Sequence, residues 1–202
     1  MFAATQTERV YHWLVKHDEE TLGTVWSIEP WFTPDIVPAD ERLLEDLLGI
    51  KKPNAKHIAD GETFYHLAHD GAGGVFLLWP RSSDPSQPPA VVYITSDGGY
   101  GVVTKSFLEF PHILAHGVSF SPYSDPPSVQ PWHRELNSNF HKKKFEVLLQ
   151  FEETTVERFG PLPPLEELAS GRNEMNTEFR DWVNRSSIQR SPRRPIKRKR
   201  GE

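Results

Sequence analysis

Cysteine is absent from the chain. That absence excludes a disulfide framework, thiol catalysis and any metal site built from thiolates. Long apolar runs are also missing: no stretch approaches the roughly 20 residues that a membrane-spanning helix needs, and the mean hydropathy is −0.56. Met1 is not followed by the basic segment and apolar run of a secretory signal peptide. We therefore expect an intracellular, cytoplasmic protein without membrane contact.

Positive charge is scarce in most of the chain and concentrated at its C-terminal end. The 202 residues include 23 basic and 28 acidic side chains. Residues 185–202 hold eight of the bases and one of the acids, which leaves 15 bases and 27 acids in residues 1–184. The body therefore carries a net charge of about −12 and the tail about +7. Because an acidic surface repels phosphate and attracts basic partners, only the tail is a candidate for nucleic-acid binding.

The basic tail is a weakly specific signal. Its composition suits a nuclear-import signal or a basic arm on nucleic acid, and a solvated terminus without a partner explains it equally well. The side chains that would contact nucleic acid are Arg193, Arg194, Lys197, Arg198, Lys199 and Arg200.

Hydrophobic spacing predicts an α+β fold. Apolar residues make up 37% of the chain, and their spacing predicts six helices, over residues 5–17, 39–48, 106–114, 140–159, 165–168 and 177–184. Strand patterns cover residues 62–69, 75–79, 90–95 and 100–104. We expect a twisted, mainly antiparallel sheet flanked by helices, with the strand Val75–Trp79 near its centre. Prolines indicate irregular segments over Thr21 to Pro38 and Ser119 to Pro131.

This pattern divides the chain into three parts. We predict a sheet-containing domain over residues 1–160, a helical extension packed on it over residues 161–184, and a flexible basic tail over residues 185–202.

A glycine-rich turn, Asp70-Gly71-Ala72-Gly73-Gly74, separates two of the expected strands. A phosphate-binding loop needs a helix after the glycines and usually a lysine, and here a strand follows without a lysine. We therefore interpret the segment as a tight turn in which Gly73 or Gly74 adopts a positive φ.

Nine histidines suggest a search for metal ligands. His66 and His69 lie on an expected strand, where alternation would direct them to opposite faces. His112 and His116 are four residues apart and could share one helical face. However, Ile113 stands where a zinc protease has its catalytic glutamate. We predict no metal and no cofactor.

Catalytic signals are similarly weak. The sequence contains no G-x-S-x-G motif, the elbow that carries the serine nucleophile of hydrolases. Asp70 and Asp97 could act as a general acid and base, but aspartate also suits turns because it bonds its own backbone. We predict no catalytic residue, and we keep a small hydrolase, using this pair or a histidine-bound metal, as a distant third hypothesis.

The order of motifs between Tyr65 and Ala115 is the most specific feature of the chain. The matching positions are Gly71, Gly73, Gly74, Trp79, Val91, Val92, Ser96-Asp97-Gly98, Val102, Val103, Ser106-Phe107 and Phe110. In order and spacing they resemble the central region of the SUKH superfamily. The chain after Gly117 does not map onto that pattern.

The resemblance implies an α+β domain without catalytic activity that binds proteins. Many bacterial members of the superfamily resemble immunity proteins that neutralise toxins, often nucleases, and eukaryotic relatives resemble regulatory scaffolds. Our first hypothesis is an immunity protein that binds a cognate toxin with a basic surface, which agrees with the acidic body. The alternative is a regulatory scaffold, nuclear if the tail is an import signal. We predict that the partner-binding surface contains Asp70, Asp84, Asp97 and Tyr100.

Overall fold

The computed structural model describes residues 4–20, 31–39, 41–48, 64–81, 87–122, 128–131 and 139–187. Its helices in these ranges are α1 (Ala4–Glu20), α2 (Glu41–Leu48), α3 (Phe110–Ala115), α4 (Asn139–Phe159), α5 (Leu165–Ala169) and α6 (Arg172–Ser187). Its strands are β1 (Trp31–Pro38), β2 (Tyr65–His69), β3 (Val75–Trp79), β4 (Ala90–Ile94), β5 (Tyr100–Thr104), β6 (Val118–Ser121) and β7 (Ser128–Pro131). A 3-10 turn, Phe107–Glu109, precedes α3.

Five strands form one antiparallel sheet in the order β1-β2-β3-β4-β5. Each strand pairs with its neighbour in sequence. Short turns join β2 to β3 and β4 to β5, whereas α2 lies between β1 and β2 along the chain. Strand β3 lies at the centre and pairs with β4 in a continuous register in which Leu77 is opposite Val92. The predicted α+β class and the mainly antiparallel sheet flanked by helices are confirmed.

Both faces of the sheet are buried. Along β3, Phe76 and Leu78 belong to a first core, and Leu77 and Trp79 to a second. The first core is closed by side chains of α1, α3, α4 and α5: Val10, Leu14, Phe110, Ile113, Leu114, Leu148, Phe151 and Leu168. The second is closed by side chains of α2 and α6: Leu44, Met175, Phe179, Trp182 and Val183. Burial on both faces explains why β3 and β4 are continuously apolar instead of alternating with polar residues.

Strand β1 corrects the expectation of an irregular segment up to Pro38. Part of that segment, residues 21–30, lies outside the described residues, but Trp31–Pro38 pairs with β2. Proline has no backbone N–H to donate. Pro34 and Pro38 are tolerated because one side of an edge strand forms no hydrogen bonds with another strand. The register shifts between Phe32 and Val37.

A second correction concerns Ser119 to Pro131, which we expected to be an irregular connection. Its two ends form a small antiparallel sheet in which Phe120 is opposite Val129. Phe120 is buried and its ring lies 5.7 Å from that of Tyr93. Prolines in the linking sequence hide this hairpin from a pattern-based prediction.

The helices expected after the sheet are confirmed, with longer bounds for the last one. Ser106 caps the 3-10 turn by accepting a hydrogen bond from Leu108 N at 3.2 Å. Pro111 stands in the first turn of α3, where the missing N–H costs nothing. Helix α6 begins at Arg172, earlier than the expected Thr177.

Helix α6 also covers the outer edge of β5. The Asn176 side chain is buried, and its Oδ1 accepts a hydrogen bond from Val102 N at 2.6 Å. This bond satisfies a backbone donor that the sheet itself leaves unpaired, so the edge is closed to further strands.

Replacing Asn176 with alanine leaves the Val102 N–H buried without an acceptor. We expect Asn176→Ala to lower the free energy of unfolding by about 1–3 kcal/mol, measured by urea denaturation. Asn173→Ala, one turn earlier at an exposed position of α6, is the matched control and should change it by less than about 0.5 kcal/mol. Equal effects of the two changes would contradict the capping role.

In the part of the chain that the structure describes, no helix is both long and apolar enough to cross a membrane.

Candidate partner-binding surface

The turns β2–β3 and β4–β5 lie side by side at one end of the sheet. Their proximity follows from the antiparallel pairing of β3 with β4, in which Val75 is opposite Ile94. A Cβ on Gly73 would lie 3.5 Å from Ser96 Cβ, and Gly73 has a φ of +88°. This confirms the expected positive φ in the glycine turn. Both turns contribute exposed residues, so this end of the sheet is a surface that a partner can reach.

Asp70 is part of the turn's internal structure. Its Oδ1 accepts hydrogen bonds from Ala72 N at 2.8 Å and from Gly74 N at 2.7 Å, and its Oδ2 accepts one from the Tyr93 hydroxyl. The residue is 6% exposed. Both carboxylate oxygens are thus engaged inside the protein, as is typical of an aspartate that closes a turn. The expectation that Asp70 is an exposed acid is wrong, and its place in the partner-binding surface stays a prediction.

Asp97 is exposed at the β4–β5 turn, as expected. Its Oδ1 accepts a hydrogen bond from Thr95 Oγ1 at 2.6 Å, which orients the carboxylate at the tip of the turn. Asp70 and Asp97 therefore differ in environment, since one is buried and bonded to backbone and the other faces solvent. Asp97 is exposed at a position that a partner can approach.

Tyr100, the expected aromatic anchor, is half-buried at the start of β5. Its ring lies 5.5 Å from that of Phe179 in an edge-to-face arrangement. Burial raises the pKa of the Tyr100 phenol, and the nearby positive charge of Arg180 opposes that rise. Only part of the ring remains for a partner, and its role as an anchor stays a prediction.

The fourth predicted site residue, Asp84, lies outside the described residues. So do the six basic tail residues considered for nucleic-acid binding.

His66 and His69 do not diverge as strand alternation predicts. A register shift between His66 and Ala68 interrupts the alternation of β2, and the two imidazole rings are 6.3 Å apart. Burial lowers the pKa of His66 and the charge of His69 lowers it further, while a hydrogen bond with the Ala68 backbone opposes the change. The described residues contain no cluster of three or more potential metal ligands.

His112, on α3, and His116, directly after it, contact the segment that connects α4 and α5. His116 Nε2 donates to the Pro163 carbonyl at 2.7 Å. His112 is buried; burial lowers the pKa of its imidazole, a hydrogen bond to the Gly160 backbone opposes this, and His116 adds a smaller lowering. Its Nε2 has no hydrogen-bond partner among the described residues. The neutral form of His112 is therefore the one that fits the fold.

The protein should lose stability as the pH falls through the histidine range. Unfolded histidine takes up a proton near its ordinary pKa of 6.5, whereas folded His112 and His66 stay neutral to lower pH. The unfolded state then binds more protons, so the free energy of unfolding should fall as the pH drops from about 7 through the ordinary histidine pKa. Urea denaturation across this range measures the slope, and His112→Phe should reduce it.

Glu109 contributes to the pH dependence of the free energy of unfolding with the opposite sign. Burial raises the pKa of its carboxyl, Lys105 opposes this, and Glu167 adds to it. The folded state therefore takes up this proton first, which favours folding as the pH falls. Because Glu109 is common to both proteins, its contribution cancels in the difference between wild type and His112→Phe. His12→Gln, at an exposed position of α1, is the control, and an unchanged slope in His112→Phe would contradict the assignment.

Helix α4 presents a second surface that sequence analysis missed. The prediction gave one apolar pattern to the whole helix, but the structure splits it in two. Leu148 and Phe151 are buried in the first core, whereas Phe145 is 41%, Leu149 41% and Val156 38% exposed. At 3.6 residues per turn these three lie within roughly 40° around the helix. We call them the exposed stripe.

Three glutamates flank the exposed stripe on the side away from the core. Glu146, Glu153 and Glu157 are all exposed, and their positions on α4 form a line parallel to the stripe. We call them the acidic column. Glu152, which is half-exposed, lies between the stripe and the buried face. The sequence feature that could have indicated the exposed stripe is that α4 has more apolar residues than one buried helix face needs.

Comparison with known proteins adds no family to this description: no protein-family model, curated protein or solved structure matches the chain.

Proposed function

We propose that the protein is a non-catalytic binding domain of the immunity type, which neutralises a toxin with a basic surface by binding it directly. The observation that carries this proposal is the charge distribution. Residues 1–184 hold 27 acids against 15 bases, and exposed acids occur both at the β4–β5 turn and along α4. The resemblance of residues 65–115 to the SUKH superfamily supports the same function.

The physical basis is electrostatic complementarity. A nuclease that binds a polyanion has a cationic cleft, and an acidic protein approaching it is accelerated by long-range attraction. Asp97, fixed at the tip of an exposed turn, can occupy a position that a phosphate would take. Inhibition then needs only occupancy of the cleft and no chemical step.

Co-expression tests this function directly. The toxin candidates are the products encoded beside this gene, expressed from an inducible promoter with and without the full chain. We expect the chain to restore growth with one of them and to co-purify with it. Failure of the chain to bind or protect against any of these products would contradict the immunity function.

Reversing the charge of Asp97 should slow binding to the neutralised toxin. For Asp97→Lys we expect a roughly fivefold lower association rate at low salt, and a difference that disappears at high salt, because screening removes long-range attraction. Stopped-flow fluorescence measures the rate. Asp181→Lys, an exposed position on α6 with the same charge change, is the matched control. Equal slowing by both would assign the effect to net charge and not to the β4–β5 turn.

A further inference from the structure

The exposed stripe of α4 is not explained by folding. The other side of the helix is already anchored, since Trp13 packs against Phe151 at 5.3 Å and against Phe159 at 4.9 Å between ring centroids. Large exposed hydrophobic residues among the described part of the chain are few: Val37, Phe145, Leu149 and Val156. Three of these four lie on α4. Such clustering of apolar residues on one helix face marks an interaction site.

Between Phe145 and Glu157 every charged residue of α4 is acidic, with Lys142, Lys143 and Lys144 before this range and Arg158 after it. The ion pairs of the described residues, Arg81–Glu178 and Lys105–Glu109, do not involve the acidic column. The three exposed glutamates therefore form no ion pair within the described part of the chain. An incoming cation would meet three carboxylates on one side and apolar carbon on the other.

We propose that this face of α4 is a docking site for an amphipathic protein segment that carries apolar side chains next to lysine or arginine. This inference rests on the proposed function, because it assigns to α4 a contact with the basic toxin in addition to that of the β4–β5 turn. Apolar side chains of the segment would cover Leu149 and its neighbours in the exposed stripe, while its cations would pair with the acidic column. The segment would pack against one face of α4, with apolar anchors spaced by one helical turn as in recognition of amphipathic helices.

Charge distinguishes a basic protein segment from the alternative occupants, which are a second copy of the chain, a nucleic acid and an anionic lipid surface. A second copy docked through its own α4 would bring two acidic columns together, and like charges at an interface oppose association. Nucleic acids and anionic lipid surfaces are disfavoured for the same reason. A basic, amphipathic protein segment is the occupant that complements both the exposed stripe and the acidic column.

A defined peptide tests the site without the toxin. The probe is a synthetic helical peptide with leucines at i, i+4 and i+7 and lysines elsewhere, titrated into the ¹⁵N-labelled full chain. We expect the largest amide shift changes at the exposed stripe and the acidic column. A peptide of the same length with glutamate in place of lysine should bind at least about tenfold more weakly.

Two variants separate the apolar from the charged contribution. Leu149→Ser and Glu153→Lys should each weaken binding of the leucine–lysine peptide by roughly tenfold, while their melting temperatures stay near that of the wild type because both positions are exposed. Gln150→Ser, exposed on α4 but outside the stripe and the column, is the control. Tight binding by both variants would overturn the proposal.

The remaining outcomes distinguish this inference from the proposed function. Shift changes confined to the β4–β5 turn, or growth rescue that is unaffected by Leu149→Ser and Glu153→Lys, would overturn the α4 site and leave the immunity function standing. Peptide binding at α4 without rescue by any neighbouring gene product would support the docking site and contradict the immunity function. Dimerisation abolished by Leu149→Ser would show that a second copy is the occupant and overturn the inference.

Discussion

Replacing Gly74 with valine should destabilise the fold by about 3 kcal/mol or more, the upper range of effects for a single substitution. A Cβ at this position would lie 2.5 Å from Asp70 Oδ2 and 3.0 Å from the Ile94 carbonyl oxygen. Neither group can move aside easily. The Asp70 carboxylate is held by two backbone N–H groups and the Tyr93 hydroxyl, and the Ile94 carbonyl belongs to the β4 backbone. Relief of the overlap therefore requires breaking the turn.

The two neighbouring glycines provide graded controls, with urea denaturation as the measurement. At Gly71 a Cβ would meet nothing within 4 Å, so Gly71→Val should cost less than about 1 kcal/mol. At Gly73 a Cβ would make only an ordinary van der Waals contact with Ser96, but φ is +88°, and Gly73→Val should cost an intermediate amount of about 1–2 kcal/mol, the penalty for a left-handed residue. If Gly74→Val were no worse than Gly71→Val, the close approach of Asp70 to this backbone would be wrong.

The second large effect is expected at Phe179 on α6. Its side chain is fully buried, and its ring centroid lies 5.1 Å from that of Trp79, 5.8 Å from Trp182 and 6.1 Å from Phe64. Truncation to alanine leaves a cavity among these three rings and that of Tyr100. We expect Phe179→Ala to lower the free energy of unfolding by about 3–5 kcal/mol, measured by urea denaturation followed through tryptophan fluorescence.

Phe145→Ala is the matched control, because it removes the same atoms from a residue that is 41% exposed. It should cost less than about 1 kcal/mol. A small effect of Phe179→Ala, or a separate early transition of α6, would show that this helix is not part of the cooperative core. That outcome would also contradict the second core as described.

Sequence patterns predicted the centre of the fold well because the information there is local. Strands β3 and β4 are short apolar runs bounded by glycine or proline, and Gly73 and Gly98 supply the positive φ of the adjoining turns. Strand β1 could not be predicted in this way. Its prolines are compatible with a strand only at the sheet's edge, and the position of β1 in the sheet is set by its pairing with β2.

The candidate site was less predictable because burial depends on tertiary contacts. Asp97 and Asp70 both look like turn aspartates, but Asp70 also accepts a hydrogen bond from the Tyr93 hydroxyl on β4, a contact that is distant in sequence and buries its carboxylate. On α4, Leu148 and Leu149 are adjacent and chemically identical, yet one is buried and the other exposed. Which of the two apolar stripes faces the core depends on how α4 packs against the side chains of α1. The local sequence pattern of α4 does not contain this information.

The covering of the second core by α6 bears on synthesis of the protein on the ribosome. Strand β5 ends at Thr104, but α6, which covers this face of the sheet together with α2, begins only at Arg172. A nascent chain that has completed the sheet therefore has only α2 to cover the face with Trp79 and Ile94 until α6 has left the exit tunnel. We expect the chain to be open to chaperone binding during that interval, and a product truncated before α6 to keep this face partly uncovered and to be degraded faster than the full chain.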